Sequence, residues 1–136
     1  FLIIEEFKVK SLKLKVKNDQ KEIVIDGLRL NFSKVSKTLN FKFLTSNIVA
    51  QLDCDKLDFP LEIRKWQKGD VFYPLGMKGK KKLSDFFIDK KLSINQKENM
   101  WLLTSSGKIV WIIGQRIDER FKITGKTSKI YFVELV

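Results

Sequence analysis

Histidine is absent from the 136 residues. That removes Ser-His-Asp triads, Cys-His nucleophiles and histidine-containing zinc sites together. Cysteine occurs once, as Cys54. A single thiol makes neither an internal disulfide nor a thiolate metal cluster, and it suits a reducing cytoplasm. Cys54 is expected to be a small, partly buried residue rather than a reactive one. No apolar run is long enough to span a bilayer, and no signal-peptide layout opens the chain. The glycine- and lysine-rich stretch from Gly76 to Ser84, GMKGKKKLS, lacks the spacing of a phosphate-binding G-x-x-x-x-G-K-[ST] loop. The acidic residues are scattered among lysines, where most serve as solvated partners of nearby charges. Catalytic, cofactor-binding and metal-binding residues are therefore all expected to be absent, and the chain alone is not expected to catalyse a reaction.

What is present is positive charge. Lys and Arg number 27 against 16 Asp and Glu, a net charge of +11. Residues 1–58 contribute +3 and residues 59–136 contribute +8 of it. An excess of this size favours nucleic acid or an anionic membrane as partner, with the later half as the binding half. Hydrophobic residues at 43% and aromatics at 12% argue for a globular fold of one core, with room for a smaller flanking unit. The opening residues Phe1-Leu2-Ile3-Ile4 read as the middle of a longer protein.

Residues 12–17, LKLKVK, alternate strictly and predict a half-buried strand. A turn at Asn18–Lys21 should lead into the returning strand Glu22–Asp26, and Asp26-Gly27 is a strong reversal signal before the alternating Leu28, Leu30 and Phe32. Ser33–Asn40 is polar and reads as a loop. Asn40–Leu44 and Ile48–Leu52 could each be a strand, and acidic Asp53–Asp58 a turn-rich connection. Leu61–Trp66 reads as a strand, followed by a turn at Gly69-Asp70. Pro74 excludes a central strand position beyond Tyr73. Gly76 and Gly79 free the backbone around Lys78, Lys80, Lys81 and Lys82, so that main-chain N–H groups and ammonium groups could both meet phosphate. Leu83, Phe86 and Phe87 share one helical face, with Asp85 in the first turn and Lys90-Lys91 in the last. Leu92–Asn99 reads as irregular. Met100–Thr104 and Lys108–Ile113 flank Ser105-Ser106-Gly107 as a hairpin whose second arm is apolar on both faces and should be central. Trp101 and Trp111 read as core. Arg116, Arg120 and Lys122 lie in a polar excursion before the last strand, Ile130–Val136.

Leu57-Asp58-Phe59-Pro60-Leu61-Glu62-Ile63-Arg64, Lys68-Gly69-Asp70-Val71-Phe72-Tyr73-Pro74-Leu75-Gly76-Met77-Lys78-Gly79 and Lys81-Lys82-Leu83-Ser84-Asp85-Phe86-Phe87 together resemble the C-terminal domain of bacterial tRNA(Ile)-lysidine synthases. Ile109–Gly114 and Arg120–Thr124 are similar to that domain's closing segments, so the likeness runs from about Leu52 to Val136. It departs at Val71 and at Gln96-Lys97-Glu98, where the family favours basic residues. Residues 1–51 carry no matching motif and are expected to be a β-rich lead-in packed on a domain of residues 52–136.

The resemblance implies an α+β, predominantly β fold, an antiparallel β-sandwich-like domain with one or two short helices, related to a phenylalanyl-tRNA synthetase domain. It implies that the full-length enzyme is a cytoplasmic ligase. Its absent N-terminal domain uses ATP to adenylate the wobble cytidine of a tRNA(Ile) with a CAU anticodon, and free lysine then displaces AMP. ATP and lysine are substrates of that enzyme, and this part needs no cofactor. The implied partners are tRNA(Ile), the N-terminal catalytic domain and a possible second copy in a homodimer, with no membrane. The implied role here is a grip on the tRNA acceptor stem. The expected RNA-binding residues are Arg64, Lys65, Lys68, Lys78, Lys80, Lys81 and Lys82, then Lys90, Lys91, Arg116, Arg120 and Lys122. The competing reading is a generic RNA-binding module, or a structural or oligomerisation domain with a solvating basic surface.

Overall fold

The computed structural model describes residues 13–44 and 46–136. Residues Phe1–Ile4, and Leu12 of the first expected strand, lie outside that range. Eleven strands and two short α-helices are laid out as β1 (Lys13–Val16), β2 (Glu22–Ile25), β3 (Leu28–Ser36), β4 (Val49–Asp53), β5 (Leu61–Lys65), β6 (Val71–Phe72), β7 (Lys81–Lys82), α1 (Leu83–Asp89), α2 (Ile94–Glu98), β8 (Trp101–Ser105), β9 (Lys108–Ile112), β10 (Arg116–Ile117) and β11 (Lys129–Leu135). Among the described residues every strand pairing is antiparallel. One sheet has the order β1-β5-β8-β9-β10, a second has β2-β3-β11-β4, and β6-β7 form a small ribbon. The two large sheets face each other, and α1 with the ribbon covers the outer face of the first.

Alternation builds this sandwich. Val16, Leu61, Ile63, Leu103, Val110 and Trp111 from the first sheet meet Leu30, Phe32, Ala50, Leu52, Tyr131 and Val133 from the second in one buried cluster. On the far side of the first sheet Leu102, Ile109 and Ile112 meet Phe72, Leu83, Phe86 and Phe87. The doubly apolar β9 follows from this layering. It lies next to the short edge strand β10 rather than mid-sheet, but both its faces are covered. A register shift near Leu103/Thr104 leaves Val110 as an extra residue, so Val110 and Trp111 both join the inter-sheet core. Trp101 and Trp111 are buried.

Five expectations are revised. β1 does not pair with β2 across the turn at 18–20. It pairs with β5 in the first sheet, whereas β2 pairs with β3 in the second. Of the two turns that flank β2, the Asp26-Gly27 turn alone makes a hairpin, with φ of 50° and 80° as a left-handed two-residue turn requires. Ser33–Ser36 is not loop but the end of β3, held by pairing to Lys129–Phe132. Asn40–Leu44 forms no strand and turns back at Phe41, whose N–H bonds the Thr38 carbonyl. Lys90 and Lys91 lie beyond α1 rather than in its last turn. Lys90 is the C-cap and Lys91 takes φ of 56°, which ends the helix. Leu92–Asn99 contains α2, nucleated by a reciprocal capping box between Ser93 and Gln96.

Candidate nucleic-acid interface

Around α1 the fold brings together the segments 64–70, 72–91 and 116–122. α1 forms because Leu83, Phe86 and Phe87 recur on one face and are buried on the sheet. Phe86 stacks edge-on to Phe72 at 5.2 Å, and Phe87 to Trp66 at 4.9 Å. The Trp66 indole N–H donates to the Lys97 carbonyl at 2.6 Å and so fixes α2 beside α1.

Three acidic residues organise the loops. Asp70 accepts two guanidinium bonds from Arg64, at 2.9 and 3.0 Å, and a 2.7 Å bond from the Gln67 N–H. Both side chains are about 15% exposed, so this pair closes the turn before β6 from within the protein. Asp118 is fully buried and accepts from the Tyr73 N–H at 2.9 Å, the Arg120 N–H at 2.8 Å and the Arg120 guanidinium at 3.0 Å. The Arg120 guanidinium also lies 4.3 Å from the Tyr73 ring centre. Glu119 accepts from the Gly76 N–H at 2.9 Å and pairs with Lys122. The Lys122 hydrogen bond, then the Gly76 N–H, hold the Glu119 carboxyl below the usual glutamate range. Gly76 takes φ of 86° in the Pro74–Met77 turn, where the Met77 N–H bonds the Pro74 carbonyl.

The twelve cations expected from sequence thus divide. Arg64, Lys81, Arg120 and Lys122 are ion-paired, with Asp70, Asp89, Asp118 and Glu119 respectively. Lys65 donates to the Glu98 carbonyl at 3.1 Å and lies 4.4 Å from the Trp101 ring centre, and burial pushes its pKa down. The Gly76 N–H, expected to face phosphate, is held by Glu119. Lys68, Lys78, Lys80, Lys82, Lys90 and Lys91 are exposed and form no ion pair among the described residues, and neither does half-buried Arg116. Lys82, Lys90, Lys91 and Arg116 lie at α1, and Lys68, Lys78 and Lys80 are in the segments that lead to it. Lys82 sits opposite Val71 in the ribbon. The Lys81–Asp89 pair ties the lysine run to the end of α1, next to Lys90 and Lys91. Lys90 and Arg116 both lie 5.7 Å from the Phe86 ring centre. The result is a cationic rim on an aromatic base, suited to polyanion binding.

Sequence reading overlooked the organisers Asp70, Asp118 and Glu119. A signal existed for Asp118. Asp followed two residues on by a backbone donor is the Asx-turn pattern, and Asp118 caps the short 3₁₀ turn Glu119–Phe121 in this way.

A family model described as "TilS substrate C-terminal domain" matches residues 61–133. A tRNA(Ile)-lysidine synthase of Parabacteroides distasonis is 42% identical over all of this chain and 31% of its own length. The Bacteroides thetaiotaomicron protein of the same name is 43% identical over 73% of this chain and 23% of its own. That of Clostridium perfringens is 32% identical over 90% of this chain and 26% of its own. The chain thus spans under a third of these curated relatives. Among solved structures, a TILS C-terminal domain superposes with a TM-score of 0.76 at 16% identity, over 91% of this chain and 96% of its own. An N-terminal fragment of the phenylalanyl-tRNA synthetase β-subunit from Pyrococcus horikoshii superposes with a TM-score of 0.56 at 21% identity, over 64% of this chain and 27% of its own. Both likenesses bear out the expected predominantly β, sandwich-like fold.

Proposed function

The chain belongs to the TilS substrate C-terminal domain family, and from that premise we propose that it grips the acceptor stem of a tRNA(Ile) with a CAU anticodon on behalf of a full-length tRNA(Ile)-lysidine synthase. The longer protein would carry the ATP-dependent chemistry in its N-terminal domain, in the cytoplasm: adenylation of the wobble cytidine, then displacement of AMP by the amine of lysine.

The observation that carries the reading is the set of seven cations around α1 that have no carboxylate partner among the described residues. Four acidic residues near them are engaged by other basic groups, and Asp85, exposed in the first turn of α1, forms no ion pair among the described residues. Asp70 and Asp118 are saturated by Arg64 and Arg120, and Asp89 and Glu119 by Lys81 and Lys122. Uncompensated cations that flank a helix and a ribbon suit an RNA duplex, whose base edges are hidden and which is recognised through phosphates, 2′-hydroxyls and shape. Holding the acceptor arm would raise the local concentration of the anticodon at a remote active site without this part touching it.

The test measures binding of this chain to two RNAs, an acceptor-arm minihelix and an anticodon stem-loop of equal length. Preference for the minihelix, weakening steeply with salt, supports the reading. Equal affinity for both indicates a generic RNA-binding module, and no affinity for either indicates a structural domain with a solvated basic surface.

A further inference from the structure

Two side chains in the sandwich hold buried polar atoms with no hydrogen-bond partner among the described residues, the Tyr131 hydroxyl and the Gln51 amide, and of the two only the amide faces the cleft beside β4. Gln51, on β4, is 6% exposed, and neither its amide oxygen nor its amide nitrogen has a hydrogen-bond partner among the described residues. Buried amides are almost always satisfied, so such a group marks a place where something else completes it. Gln51 lines a cleft of about 470 Å³ between edge strand β4 and the Gln115–Ile123 segment. That volume lies within the range of small-molecule sites. Its walls include Phe43, which is 60% exposed, Trp111, Arg116 and Lys122. No carboxylate lines it among the described residues. Lys122 shares its charge with Glu119, whereas Arg116 has no ion pair among the described residues.

The cleft also adjoins the cationic rim. Arg116 lines it and reaches Phe86 of α1, and Leu75 lines it from the turn that leads into Lys78. The chemistry on offer is therefore an amide with one acceptor and two donors, an accessible aromatic ring and a free guanidinium, at the margin of a surface for duplex RNA. An unpaired nucleotide uses all three: base edge, base face and phosphate. A free amine or a lysine side chain would meet cations with no carboxylate, and a purely apolar ligand would leave Gln51 unsatisfied.

We propose that this cleft takes one unpaired nucleotide of the bound RNA, the base against Gln51 and Phe43 and its phosphate at Arg116. The inference rests on the acceptor-stem reading, because an acceptor stem continues into an unpaired 3′ strand.

The test uses this chain with an RNA hairpin that is either blunt or carries a one-nucleotide 3′ overhang of 2-aminopurine, and with free 2-aminopurine ribonucleotide. The hairpin with the overhang should bind about five- to tenfold tighter than the blunt one, the worth of one stacked base, with quenched fluorescence. Gln51→Leu and Phe43→Ala should each remove that increment and leave blunt-hairpin affinity unchanged. An apolar replacement of similar shape at Gln51 should not harm folding, and the exposed Phe43 gives a second variant independent of the core. Equal affinity for the two hairpins, or an increment that survives both substitutions, overturns the inference and leaves the acceptor-stem reading standing. A free nucleotide that binds as tightly as the overhang also overturns it, by making the cleft a site for free nucleotides. Failure to bind either hairpin overturns both.

Discussion

Replacing Lys78, Lys80 and Lys82 together by alanine tests whether the cationic rim meets phosphate. All three are exposed, and none has an ion pair among the described residues, so no carboxylate need be released when they bind RNA. Each neutralised phosphate contributes about 0.7 to 0.9 to the slope of log affinity against log salt. Three contacts therefore account for about 2.4 of slope. Across a fourfold rise in salt, the wild-type chain should lose about 30-fold more affinity for the acceptor-arm minihelix than the triple variant does. Fluorescence anisotropy titrations at four salt concentrations read this directly. Exposed-lysine changes should alter folding stability by less than about 0.5 kcal/mol each, so urea unfolding provides the control for integrity. Lys122→Ala is the matched comparison. Its ammonium already serves Glu119, so it should alter the slope less than any one of the three. Parallel salt plots for wild-type and triple variant would refute the assignment.

Other expectations concern the acidic organisers. Arg64→Ala strips the partly buried Asp70 of its bidentate partner and should cost about 2–3 kcal/mol in urea unfolding. A loss of RNA affinity at unchanged stability would instead make Arg64 an RNA contact. Asp118→Ala removes the acceptor of two backbone and two guanidinium bonds from a fully buried position, and should destabilise by about 3 kcal/mol or more. Calorimetry showing a loss below about 1 kcal/mol would contradict the account of the loop. Glu119 has its pKa lowered on folding, so the stability it supplies is whole above the ordinary glutamate range and is lost as pH falls through its lower folded value. Glu119→Gln should therefore be less stable than wild type at pH 7, with the gap closing towards pH 3. A gap independent of pH would show that the carboxylate's charge is not what holds Gly76 and Lys122.

The site was half legible before any coordinates. Lys78, Lys80 and Lys82 stand out because glycine spacing and charge are local, one-dimensional signals. The division of the twelve cations into paired and unpaired was not legible. Arg64 meets Asp70 only because the turn at 67–70 folds back on β5, and Lys81, just before α1, meets Asp89 at the far end of that helix, eight residues on. The Ser93–Gln96 capping box could have been read from its spacing, and polar composition masked it. Gln51 carried no signal at all. A single amide in a short apolar strand has no local feature that tells whether it is solvated or covered by a neighbouring segment.

By itself the chain determined what depends on near neighbours. Alternation specified strands at β1, β5 and the first part of β3, apolar runs on either side of Ser105-Ser106-Gly107 specified β8–β9, the Asp26-Gly27 pair specified one hairpin, and the Leu83-Phe86-Phe87 spacing specified the helix beside the basic surface. Only the tertiary structure decided which strands pair. β1 crosses to β5 and β11 inserts between β3 and β4, because backbone hydrogen bonds are the same for any partner and burial of a shared apolar face chooses among them. For the same reason sequence supplied the lysines, and the packed fold decided which of them have a carboxylate partner among the described residues.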